Sequence, residues 1–96
     1  MQIDKKEENG RVTLVINGEL DAETSPDLEK ELSSMEGVTD LTLDLCGVEY
    51  MSSAGLRVLM LAKEMVGETG KLALVNVQAE VKDVMDMTGT SELLGL

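Results

Sequence analysis

Between Asp40 and Val66 the hydrophobic period of the chain changes from that of a strand to that of a helix, and the change is made across Ser52-Ser53-Ala54-Gly55. On the near side, Asp40-Leu41-Thr42-Leu43-Asp44-Leu45-Cys46 alternates polar and apolar. Leu41, Leu43 and Leu45 therefore share one face of a strand, and Thr42, Asp44 and Cys46 the other. On the far side, Leu56, Leu59, Met60, Lys63 and Val66 fall on one side of a helix, with Val58, Leu61, Ala62 and Met65 widening its apolar surface. A strand that passes into a helix through one tight turn belongs to an α/β chain. The turn also places a serine beyond the last buried residue of the strand and before the first buried residue of the helix, at or near the helix N-cap. Small residues there let the backbone come close to a partner.

The flanking segments follow the same logic. Met1 to Asn9 reads as an edge strand ending at the hairpin signal Asn9-Gly10, and Val12 to Asn17 as a β-branched strand paired to it. Gly18-Glu19-Leu20-Asp21 is a polar exit with Leu20 as its buried candidate. Ser25-Pro26 starts a helix, with Ser25 as N-cap, Leu28, Leu32 and Met35 as its apolar stripe, and Glu36-Gly37 as its stop. After the central helix, Gly67 and Gly70 mark a stop and a turn, Lys71 to Val77 a strand, Ala79 to Met87 a shorter helix, and Ser91 to Leu96 a tail that packs its leucines. The order is strand, strand, helix, strand, helix, strand, helix. It predicts one domain over residues 1–96: a mixed, mostly parallel four-stranded sheet behind an N-terminal hairpin, with helices mainly on one face.

Composition narrows the function. Eight Lys and Arg against nineteen Asp and Glu give a net charge of −11, so nucleic-acid phosphates and anionic membranes would be repelled. With no signal peptide pattern and no membrane-length apolar run, the expected compartment is the cytoplasm, in keeping with a single cysteine. The chain has no histidine, which removes His-based catalysis and His metal ligation. Tyr50 is its only aromatic residue, so Leu, Val, Ile and seven Met must fill the core.

No phosphate-cradling glycine motif and no Gly-x-Ser-x-Gly elbow occurs, and Lys63, the nearest lysine downstream of Ser53, lies too far along the helix to activate it. Glu19, Asp21, Asp44 and Glu49 could gather at one end of the sheet, but their spacing matches no metal loop, and solvation of strand ends accounts for them. Neither a metal nor a cofactor is expected, and the chain is not read as an enzyme. Cys46 is expected to be a small buried hydrophobe, and Met51 the one methionine with a role at a partner surface. The serines have two readings: a helix cap, or a phosphorylation switch on a helix N-terminus that tolerates an added dianion. The apolar surface of the central helix suits either a partner or a second copy of the chain, and the oligomeric state stays open.

The run Leu43-Asp44-Leu45-Cys46-Gly47-Val48-Glu49-Tyr50-Met51-Ser52-Ser53-Ala54-Gly55-Leu56 resembles the STAS domain family, specifically the bacterial anti-sigma factor antagonists. Their motif is apolar-Asp-Leu-Ser-x-Val, an aromatic and an apolar residue, then Asp-Ser-Ser/Thr/Ala-Gly-Leu and a helix. Gly18 to Asp21, the strand Leu72 to Asn76 and Val81 to Gly89 look familiar in the same way. The resemblance implies a partner switch. The domain binds an anti-sigma factor that is also a serine kinase and so releases a sigma factor. The kinase then phosphorylates the antagonist, and a serine phosphatase resets it. Ser53 matches the phosphorylated serine, and the implied docking surface comprises Asp21, Tyr50, Met51, Ser52, Ser53, Ala54, Gly55, Leu56 and Arg57. Ser52 stands where the motif has aspartate, and Ala54 where a second hydroxyl is frequent. Many relatives continue into a further terminal helix, here expected to be reduced to Ser91 to Leu94. The competing implication is a STAS module that binds a protein or small ligand without phosphorylation.

Overall fold

Asn9 and Gly10 both take positive φ, 52° and 80°, as a two-residue hairpin loop requires. They fold β1 (Gln2–Glu8) antiparallel onto β2 (Arg11–Asn17), in register from Glu8↔Arg11 to Gln2↔Asn17. From there the chain runs through α1 (Ser25–Ser33), β3 (Asp40–Gly47), α2 (Ser53–Val66), β4 (Lys71–Val75), α3 (Ala79–Thr88) and α4 (Thr90–Leu93). This computed structural model describes residues 1–35 and 37–94. The sheet order is β1-β2-β3-β4, with β2, β3 and β4 parallel. Two crossovers that step the same way across a sheet must carry their helices over the same face if both are right-handed.

That face is the core. Leu14, Ile16, Leu41, Leu43 and Leu45 are fully buried, with Leu28 and Leu32 of α1, Val58, Leu59 and Ala62 of α2, and Val81 and Met85 of α3 packed into the same cluster. The opposite face carries Thr13, Val15, Thr42 and Asp44, half-buried, and Ala73 and Val75, exposed. In place of aromatic residues, methionines fill gaps: Met35, Met51 and Met85 are buried, while Met87 is 85% exposed.

Four expectations need correction. Ser25 is the first residue of α1 and not its N-cap: Thr24 holds the cap position without a side-chain hydrogen bond, and the Ser25 hydroxyl is buried without a partner. The helix stops at Ser33, earlier than the Glu36-Gly37 signal, of which Glu36 lies outside the described residues. Cys46 is exposed, because strand alternation puts it on the open face with Thr42 and Asp44. Its thiol is held above its usual range by the neighbouring Asp44 side chain, which leaves it a poor nucleophile. In the tail, Leu94 packs into the core while Leu93 is exposed; Gly95 and Leu96 lie outside the described residues. No described helix is long and apolar enough to cross a membrane.

Candidate functional site

Because β2 and β3 are parallel neighbours, their carboxyl ends emerge at one edge and the loops that follow lie side by side. The pairing of β3 with β2 slips by one residue at this edge, from Val15↔Asp44 to Asn17↔Gly47, and the Gly18 N–H then donates to the Gly47 carbonyl at 3.0 Å. Beyond the strands, Leu20 and Met51 form an isolated parallel bridge: the Leu20 N–H donates to the Tyr50 carbonyl (3.0 Å), and the Ser52 N–H to the Leu20 carbonyl (2.8 Å). Both bridged side chains are buried. Gly55 lies directly beneath, where a Cβ would stand 2.9 Å from the Leu20 carbonyl oxygen, the Leu20 Cβ and the Met51 Cγ.

The β2–α1 loop is shaped by Asp21. Its carboxylate Oδ1 accepts the backbone N–H groups of Glu23 (2.9 Å) and Thr24 (3.0 Å), and the Ser25 N–H donates to the Asp21 carbonyl at 2.9 Å. The Thr24 hydroxyl is shared between the Asp21 carboxylate and the Glu19 carbonyl. Donation by the Thr24 N–H, helped by the Thr24 hydroxyl and the Glu23 N–H, holds the Asp21 carboxyl below its usual value against the opposing pull of burial.

At the start of α2, Ser52 is extended (φ −98°, ψ 178°) and occupies the N-cap without capping, since its hydroxyl is buried and has no partner. Ser53, the first helical residue, is exposed. One turn later Arg57 reaches across to α1, with its Nη2 2.8 Å from Glu29 Oε1. This pair stands at one end of a groove of about 480 Å³ between α1 and α2, lined further by Leu32, Ser33, Met35, Leu61 and Met65. Asp44 is engaged elsewhere: the Asn76 side-chain amide and the Cys46 N–H donate to it and lower its carboxyl. Among the described residues no group of acidic or thiol side chains is placed to hold a metal.

The turn at the carboxyl edge of this half-covered sheet is held by backbone hydrogen bonds and presents Ser53 at the surface. The family model of the STAS domain matches residues 2–96. The chain belongs to the STAS domain family, among the anti-sigma factor antagonists. An anti-sigma-B factor antagonist of Staphylococcus epidermidis is 33% identical over 82 residues, which span 82% of this STAS chain and 76% of that protein. An anti-sigma factor antagonist from Mycobacterium paratuberculosis has the same fold, with a TM-score of 0.85 at 23% identity, over 97% of this chain and 81% of that one. The Bacillus cell fate determinant SpoIIAA in its phosphorylated form superposes with a TM-score of 0.75 at 17% identity, over 95% of this chain and 86% of that one. The family is one of regulators and not enzymes.

Of the residues that the sequence points to in this STAS domain, Tyr50, Ser53 and Arg57 are exposed, and Asp21, Ser52 and Ala54 are half-buried beside them. Met51, Gly55 and Leu56 are buried and turn inward beneath the turn. Met51, the methionine that the sequence points to for a role at a partner surface, is buried and bridged to Leu20. Two contributors were not anticipated. Thr24 was readable, since Asp21 and Thr24 stand three apart before a helix, the spacing at which short polar side chains bind nearby backbone. Glu29 carries no local signal for its pairing with Arg57, 28 residues away.

Two outcomes test this architecture. Gly55→Ala should force the Leu20 carbonyl and the Met51 side chain to shift and lower stability by about 1–3 kcal/mol in urea unfolding, the usual range for overpacking. A carboxyl whose native value is depressed contributes stability that is present above about pH 3.9 and is lost as pH falls through its native value. Asp21→Ala should therefore lower the urea midpoint at pH 7, and the gap to the wild type should narrow as pH is taken below 4; a gap independent of pH would count against a role for the charge.

Proposed function

We propose that this STAS domain binds an anti-sigma factor, itself a serine kinase, through the surface around Ser53, and so frees a sigma factor. The kinase ends the complex by phosphorylating Ser53. In that step the Ser53 Oγ forms a bond to the γ-phosphorus of ATP, the bond to the departing ADP oxygen breaks, and the hydroxyl proton passes to a base of the kinase. A serine phosphatase returns the domain to its binding form. The observation that carries this reading is the exposed hydroxyl of Ser53 on the first residue of α2, flanked by exposed Tyr50 and Arg57 and held from beneath by the Leu20–Met51 bridge. At that position an added phosphate faces the positive end of the helix dipole and does not require the domain to unfold. On a domain at −11, a further −1.5 to −2 or so is felt where a partner is pressed against the turn, through like-charge repulsion and desolvation.

Ser52 keeps a second reading in play: with a buried, uncharged hydroxyl where the family motif has a carboxylate, the domain could serve as a binding module that is never phosphorylated. Incubating the chain with the serine-kinase anti-sigma factors of its own cell and ATP separates the two. The switch predicts one phosphoryl group on the wild type and none on Ser53→Ala, by intact mass. Ser53→Asp should bind the anti-sigma factor at least about tenfold more weakly than the wild type, equivalent to about 1.4 kcal/mol, in a calorimetric titration. Phosphate on another residue, or full-strength binding by Ser53→Asp, would contradict the proposal.

A further inference from the structure

Arg57 lies four residues after Ser53, on the same side of α2, at the spacing where side chains of a helix meet. We propose that Arg57 is the receptor, within this same chain, for the phosphate on Ser53, and that phosphorylation draws its guanidinium away from Glu29. The inference rests on the reading of Ser53 as the phosphoacceptor.

Three observations support it. Arg57 is the only Lys or Arg in the first two turns of α2. Lys63 stands ten residues beyond Ser53, about 15 Å along the axis, and Lys30 of α1 lies on the far flank of that helix, in a groove with Met1 and Ile3. Second, the charged side chain that meets Arg57 is acidic, Glu29 on α1, and the loop before α1 brings Asp21, whose carboxylate is already committed to Thr24. Helix spacing thus places Arg57 as the cation beside a dianion arriving at Ser53. Third, the tie that Arg57 would give up is weak. It uses one guanidinium nitrogen on one carboxylate oxygen, with the side chains 60% and 38% exposed, a geometry in which water screens most of the attraction. Phosphate offers more charge and accepts the planar guanidinium fork on two oxygens.

The exchange changes the docking surface in two ways at once. The phosphate adds negative charge at the turn, and it removes from the partner's reach the one exposed cation beside it. Glu29 is left without its counter-ion at the mouth of the α1–α2 groove, so the acidic character of the surface rises beyond the charge of the phosphate itself.

The test uses the full chain with phosphoserine genetically encoded at position 53, so that no kinase is needed, and follows the second ionisation of the phosphate by ³¹P NMR. The midpoint should lie about 0.3 pH units or more lower in the wild-type background than in Arg57→Gln, as expected for an ion pair of this kind. Arg57→Lys should fall between them, and Glu29→Gln, which removes the competitor, should lower the midpoint further. Equal midpoints in the wild type and Arg57→Gln would overturn the proposal, and an unchanged midpoint in Glu29→Gln would overturn the exchange. Failure of the kinase to modify Ser53 is a separate result, which would overturn the functional reading and leave this measurement as it stands.

Discussion

Two backbone hydrogen bonds, from the Leu20 N–H to the Tyr50 carbonyl and from the Ser52 N–H to the Leu20 carbonyl, join the loop after β2 to the loop after β3. Each is worth about 0.5–1.5 kcal/mol net, so their effect on global stability is modest. Their effect on the site is larger, because they fix the chain immediately before Ser53 against a fully buried anchor. The requirement for Gly55 follows, since the first turn of α2 must pass beneath Leu20 and Met51 at a distance that no side chain allows. A surface held in this way enters a complex already ordered, and binding then loses less of its free energy to immobilising the loop.

The same clamp suits this domain to the charge switch proposed for it. A turn that is pinned at Leu20, at Met51 and by the apolar face of α2 has little freedom to rearrange, so a modification there acts on what lies outside. The outside is strongly acidic overall, and near Ser53 its balance depends on a single arginine. Small changes in local charge at an interface alter partner choice more than fold stability. The core that resists rearrangement is aliphatic and contains no aromatic side chain, and buried methionines complete its packing around the sheet and helices.

Much of this was legible because it is local. Asn9-Gly10 specifies a hairpin turn, the alternation from Asp40 to Cys46 specifies a half-covered strand, and the helical spacing after Leu56 specifies α2. The alternation also assigned Cys46 to the open face with Thr42 and Asp44, and the general habit of free cysteines to be buried was the weaker guide. The burial of Met51 was not legible, because the alternation of β3 ends with the register slip near Gly47, and what orients Met51 is a bridge to a loop thirty-one residues earlier in the chain. The Arg57–Glu29 pair was out of reach for a related reason: only the crossover geometry brings α1 beside α2. Family resemblance supplied the phosphoacceptor reading of Ser53, where residue chemistry alone favoured a helix cap.

If Ser53 phosphate acts through the charge it presents, the clamp stays closed in both states of the proposed switch, and amide hydrogen exchange at Leu20 and Ser52 reads its closure. In the unmodified chain both amides should exchange slowly, at rates near those of the β3 core amides, and phosphoserine at position 53 should leave those rates unchanged. Loss of protection at either amide on phosphorylation would show that the loops come apart, and that the domain signals by rearrangement and not by the charge it presents.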